Sequence, residues 1–184
     1  MLFGPISIKA GFGGANFQDN DAADNFGTDY ASNQYDKYTQ WAASLSWGTL
    51  GQGFYTAATL QTRNFEALGG HDFDLHGDTT ADEYDVTGAE FVISYGFANG
   101  VTLIGGYNWM KVDYDFVDNP DNIASDAKSS VIPVIAQWQI NTSIKIWAEA
   151  RFDAGTDDEY AEYTNEVYAH NDENVFALGA KYTF

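Results

Sequence analysis

The run best suited to bind an ion is Asp72-x-Asp74-x-His76-Gly77-x5-Glu83, which imitates the ligand spacing of an EF-hand calcium loop. Carboxylates at that spacing would suit Ca²⁺, but a histidine fills the fifth position and the flanks alternate like strands. Asp72, Asp74 and Glu83 are therefore only a weak metal set. His71, His76 and His170 lie in polar segments without the i, i+4 pairing that puts two imidazoles on one helix face. Gly11-x-Gly13-Gly14 sits inside an alternating pattern with no helix after it, so a phosphate-cradling loop fails. No Ser-His-Asp arrangement stands out, and carboxylates are too abundant for any Asp/Glu pair to mark acid–base catalysis. The expectation is a protein that is not an enzyme and carries no cofactor.

Composition narrows the classes further. The 184 residues fit one domain, 1–184, and hold no cysteine, which removes disulfides and thiolate metal sites. With 27 acidic against 8 basic residues the formal charge is −19, so nucleic acid is not an expected partner. Aromatics reach 16% and glycines number 18, yet no apolar run approaches the roughly 20 residues of a spanning helix. Transmembrane strands need only about 9 to 11 alternating residues and escape such a scan. Met1-Leu-Phe-Gly-Pro has neither a basic n-region nor an apolar h-region. An exported chain of this kind would have lost its signal peptide or be incomplete at its N-terminus.

Period-2 patterning predicts eight strands, at roughly 4–17, 38–50, 54–67, 87–98, 101–116, 131–140, 143–155 and 175–184. Tight connectors at Gly51-Gln52-Gly53, Asn99-Gly100 and Asn141-Thr142 alternate with long ones at 18–37, 68–86, 117–130 and 156–174. A strict order of long and short puts all tight turns at one end, as in an up-and-down transmembrane barrel.

Each strand has one apolar face. Trp41, Ala43, Leu45 and Trp47 oppose Gln40, Ala42, Ser44 and Ser46; Phe91, Ile93, Tyr95 and Phe97 oppose Glu90, Ser94 and Gly96. Ile144, Ile146, Ala148, Ala150 and Phe152 oppose Lys145, Trp147, Glu149, Arg151 and Asp153. The third strand reads either way, with Phe54, Ala58 and Leu60 on the apolar face or with Tyr55, Ala57 and Thr59 there. Alternation alone does not separate a soluble core face from a lipid face. The position of Trp41, Trp47, Tyr95, Phe97, Trp109, Trp138, Phe152 and Phe184 near strand ends suits aromatic girdles at membrane interfaces.

Several stretches together resemble the carboxyl-terminal half of the trimeric general porins of Gram-negative bacteria. Tyr38-Thr-Gln-Trp-Ala-Ala-Ser-Leu-Ser-Trp47 followed by Phe54-Tyr-Thr-Ala-Ala-Thr-Leu-Gln-Thr-Arg-Asn64 is similar to a pair of consecutive strands in that family. Phe91 to Tyr107 resembles the next hairpin, and Asp172 to Phe184 resembles the closing strand, with its terminal Phe and an aromatic two residues earlier. The resemblance implies an all-β, antiparallel up-and-down transmembrane β-barrel. Eight of sixteen strands would lie here, and the constriction loop would lie in the half this chain lacks. It also implies an outer-membrane location, a homotrimer, and recognition of the last strand by the barrel-insertion machinery.

Under that reading Lys9, Arg63, Glu90, Lys145, Glu149, Arg151, Asp153 and Lys181 line a water-filled pore for ions and small hydrophilic solutes. A closed eight-stranded barrel, acting as an anchor or surface-interaction protein, would instead have to pair these charges in a narrow lumen. A soluble binding barrel or an outer-membrane lipase is a third reading, for which no nucleophile is visible. The long connectors hold the rest of the acids, at Asp19, Asp21, Asp24, Asp29 and Asp36, at Asp72 to Asp85, and at Asp157 to Glu173. Solvation explains them; bridging to anionic lipopolysaccharide through Mg²⁺ or Ca²⁺ is the functional alternative.

Overall fold

The computed structural model describes residues 4–16, 35–67, 73–74, 80–118, 124–156 and 174–183. Its elements in chain order are β1 (Ile6–Asn16), β2 (Tyr35–Thr49), β3 (Gln52–Ala67), the two-residue β4 (Phe73–Asp74), β5 (Thr80–Gly96), β6 (Val101–Asp118), β7 (Asp126–Gln139), β8 (Ile144–Asp153) and β9 (Val175–Tyr182). The eight long strands form one antiparallel meander in the order β1-β2-β3-β5-β6-β7-β8-β9, and β4 pairs with the start of β5. Among the described residues no helix is long and apolar enough to cross a membrane, which says nothing of crossing by strands.

The tight connectors gather at one end because their residues stop a strand locally. Gly51 and Gly100 hold φ of 83° and 82°, a left-handed backbone that a side chain would strain. Asn141 Oδ1 accepts from the backbone N–H groups of Ser143 and Ile144, at 2.9 and 3.0 Å, and so closes the β7–β8 turn with its own side chain. The long connectors, including residues 17–34 and 157–173, leave from the opposite end and lie largely outside the described residues.

Two expectations change here. The sheet is not closed into a barrel: β1 pairs only with β2, β9 only with β8, and the two edge strands do not meet among the described residues. Strand starts also come earlier than expected at β2, from Tyr35 instead of 38, at β5, from Thr80 instead of 87, and at β7, from Asp126 instead of 131. Glu83, Asp82 and Asp85, read as loop acids, are strand residues of β5, and Asp36 lies within β2.

The reason is a reversal of facial polarity near the long-connector end. There the apolar side chains move to the other face, so a search for one continuous apolar face stops too soon. The buried hydrophobics Val112 and Ala127 lie in this zone, packed by Tyr84, Val86, Met110 and Tyr114. Elsewhere the sheet has little core.

One central irregularity is also legible in chemistry. Pro133 has no N–H to give to the ladder, and the β6–β7 pairing skips two positions between Gly105↔Val134 and Asn108↔Val131 while keeping one register. Gly106 faces the Pro133 ring, where an added Cβ would fall 3.3 Å from Pro133 Cγ and 2.9 Å from the Phe91 carbonyl oxygen. The missing side chain lets the two strands stay together around the proline.

Candidate functional site

Pairing fixes the faces, because residues directly opposite in an antiparallel ladder share one. On one face stand Ile6, Ile8, Ala10 and Phe12 of β1, Trp41 to Trp47 of β2 at every second position, and Ala58 and Leu60 of β3. The same face continues through Phe91, Ile93, Tyr107, Val134, Ala148 and Leu178 to the far edge. The third strand is thereby settled: Phe54, Ala58 and Leu60 are on the apolar face, Gln61 and Arg63 on the other. This apolar face is bare, with Leu178 88%, Phe12 80% and Ile8 78% exposed. Soluble monomers rarely expose patches beyond a few hundred Å².

The apolar band does not run straight across the sheet. One ladder row reads Ile6, Trp47, Thr56, Ile93, Gly105, Val134, Ala150, Phe176. Ile6 is the turn-side limit of the band on β1, whereas Phe176 is its connector-side limit on β9. The band therefore slips by the distance from Ile6 to Phe12, about 20 Å along a strand, over seven strand spacings of about 4.8 Å. That slope corresponds to about 30° between the band and the ladder rows.

All eight charged residues expected to face a lumen lie on the second face. Lys9, Ser44, Thr59, Glu90, Asn108, Val131 and Asp153 form a single ladder row, so Lys9, Glu90 and Asp153 stand at one level along the strands. Arg63 sits toward the long connectors, opposite Gln40. Lys145 and Lys181 face each other directly near the tight turns, a like-charge pair that water must screen. Glu149 pairs with Ile135 and Ala177. The open sheet thus lines these residues along one wall without bringing them into a cluster.

Glutamines and a tryptophan smooth that wall by lying across glycines. An added Cβ would come within 3.3 Å of Gln40 Nε2 at Gly13 and 3.1 Å of Gln61 Nε2 at Gly88. At Gly179 it would overlap the Trp147 ring, at 2.1 Å. Near the middle, Thr59, Gln61, Glu90, Asn108, Ser129 and Arg151 border a concavity of about 270 Å³.

A sequence reading of two uniform faces misses what the other end of the strands does. On the charged face Tyr38, Phe65, Tyr84 and Tyr114 stand opposite one another in one row. Their rings pack in series, with centroids 6.2, 4.7 and 5.9 Å apart, and Phe116 follows at 5.9 Å. On the apolar face the same zone carries ion pairs of Lys37 with Glu66, and of Lys111 with Asp113 and Asp126, beside Lys128 and Asp126. The signal was present in Tyr84 and Val86, which keep the parity of Glu90 rather than that of Phe91.

Of the weak metal set, Asp72 lies outside the described residues, as do His71, His76, His170 and Phe184, and the Asp74 side chain is not described. Glu83 accepts a hydrogen bond from Asn64 Nδ2. Among the described residues no three of His, Asp and Glu come together at metal-binding range. Comparison with models of known protein families and with curated proteins found no match.

Proposed function

We propose that this sheet is wall of an outer-membrane diffusion pore, passing ions and small hydrophilic solutes without chemistry. The observation that carries the reading is the oblique apolar band. A bilayer is flat, so a band that crosses ladder rows at about 30° means strands inclined by that angle to the membrane normal, near the tilt of about 35–45° found in transmembrane barrels. On β6 the band runs from Val101 to Trp109, which is about 27 Å along the strand and about 24 Å once tilt is removed, close to the ~25 Å apolar height of such barrels. Trp47, Tyr95 and Trp138 then sit at one rim and Trp41, Trp109 and Phe152 at the other.

In lipid the free N–H and C=O groups of β1 and β9 must be paired, so strands beyond this sheet close the wall. Sixteen strands is the number implied by the porin resemblance, and a barrel of that size encloses an aqueous channel. Lys9, Arg63, Glu90, Lys145, Glu149, Arg151, Asp153 and Lys181 would then be hydrated wall charges that tune ion preference. A trimer, docking of β9 to the insertion machinery, and contact with lipopolysaccharide belong to the same reading. The small closed barrel needs β1 on β9, which the described residues do not show.

Planar-bilayer recording of the refolded protein tests this. Stepwise openings whose cation preference rises in Arg151→Gln and falls in Glu90→Gln support the pore; a protein that folds into lipid yet stays silent ends it.

A further inference from the structure

The apolar side chains are barest at the two outer edges of the sheet. Ile8 and Phe12 on β1 are 78% and 80% exposed, and Phe176 and Leu178 on β9 are 71% and 88%, whereas no large apolar residue of the band on the described strands between them exceeds 56%. Each edge also presents a row of ladder N–H and C=O groups with no strand beside it among the described residues. Both observations describe one missing neighbour.

The two edges fit each other. Eight long strands are an even number, so β1 of one copy runs antiparallel to β9 of another when their tight turns share an end. On both strands the even-numbered residues carry the apolar band, from Ile6 to Phe12 and from Phe176 to Tyr182, four positions each. Setting Ile6 beside Tyr182 and Phe12 beside Phe176 aligns the two bands at both limits. The other face agrees, because Lys9 then stands opposite Gly179 and Lys181 opposite Ser7. Keeping the faces allows only slips of two residues. One such slip would bring Lys9 onto Lys181, and the other would carry Tyr182 past the start of the band onto Gly4.

A single copy that joined its own edges would enclose a lumen of side-chain width. Lys145 and Lys181 face each other directly on the charged face, and such a pair needs water around it. Two copies, joined β9 to β1 twice about a two-fold axis, make sixteen strands and a lumen that holds water. We infer that a second copy of this chain closes the wall, with β9 of each copy paired to β1 of the other. The inference rests on the pore reading and names the source of the strands that reading requires.

The sequence has no cysteine, so disulfide trapping can read the junction. Gly11 and Ala177 are opposite in the inferred register, on the charged face, and a Cβ added at Gly11 meets nothing within 4 Å. Gly11→Cys and Ala177→Cys proteins, refolded together in lipid vesicles and oxidised, should give a covalent dimer that neither gives alone. No dimer from the folded mixture, or an internal link within single copies of the doubly substituted protein, overturns the inference. Should the variants fail to fold, the mass of the unmodified protein in detergent decides: an even number of copies per particle supports the junction, and an odd number ends it. A linked dimer that never conducts would uphold the junction and end the pore; conductance by particles with an odd number of copies would do the reverse.

Discussion

Two halves of the same strands obey opposite rules. Toward the tight turns, β5 points Ile93 and Tyr95 at the bare face and Ser94 at the charged one, with Ser94 only 3% exposed. Toward the long connectors the same strand points Glu83 and Asp85 at the first face and Tyr84 and Val86 at the second. Neighbouring strands switch at nearly the same level: β3 from Leu60 to Asn64 and Glu66, β6 from Trp109 to Lys111 and Asp113. A strand has no intrinsic reason to reverse its polarity midway, so the surroundings must. The turn-side half resembles a wall between lipid and water; the connector-side half resembles a soluble sheet with its own small core.

The comparison is broken most sharply by one charge placed in each half on one face of one strand. Ile93→Lys puts an ammonium in the apolar band and should cost about 2–4 kcal/mol of folding free energy in lipid vesicles, as charges on the lipid face of a barrel do. Thr87→Lys, six residues along on the same face, borders Lys111 and the charged collar and should stay within about 0.5 kcal/mol. Urea titration in vesicles reads both. Equal effects would mean that the face meets one medium along its whole length.

The opposite face sharpens the contrast at smaller amplitude. Tyr84 is packed between Phe65 and Tyr114 at 4.7 and 5.9 Å and leans on the Val112–Ala127 core. Tyr84→Ala removes ring contacts and leaves a cavity, and should cost about 2–3 kcal/mol. Ile135→Ala, on the same face in the turn-side half and partly solvated, should cost about 1 kcal/mol. Matching losses at the two sites would show that the connector-side core is not special.

The strand series was readable because alternation needs only local information: Trp41 to Trp47 and Ile144 to Phe152 declare their faces within one element. The alternation of long and short connectors was readable for the same reason, through Gly51, Gly100 and Asn141. What failed was continuity. Tyr84, Val86 and Tyr114 become a core only when Tyr38 and Phe65 are brought beside them, and ladder register is a property of pairs of strands. The tilt of the apolar band is likewise invisible until Ile6 and Phe176 share a row. Glu90 and Arg151 were singled out for their charge, but the concavity that they border with Asn108 arises from five strands at once. Closure of the sheet was the overextended step, because a final strand rich in aromatics declares which of its faces is apolar and nothing about which strand it pairs with.

The smallest expected effect lies in the collar. Lys37 and Glu66 pair across β2 and β3 with 39% of each side chain exposed. Their neighbours in the same row are Glu83 and Asp115, so Lys37 offsets several acids at the strand ends. If water bathes this level, Lys37→Met should lower stability by no more than about 1 kcal/mol. The loss should also shrink in 1 M salt, where screening acts within about 3 Å. If the collar instead lay inside the bilayer, removing the cation would leave Glu66 desolvated and unpaired, and the loss would be several-fold larger and insensitive to salt. If the sheet is the wall of a membrane pore, the salt dependence of this one weak ion pair would mark where lipid gives way to water, four positions beyond Trp41, the last aromatic of the apolar band on β2.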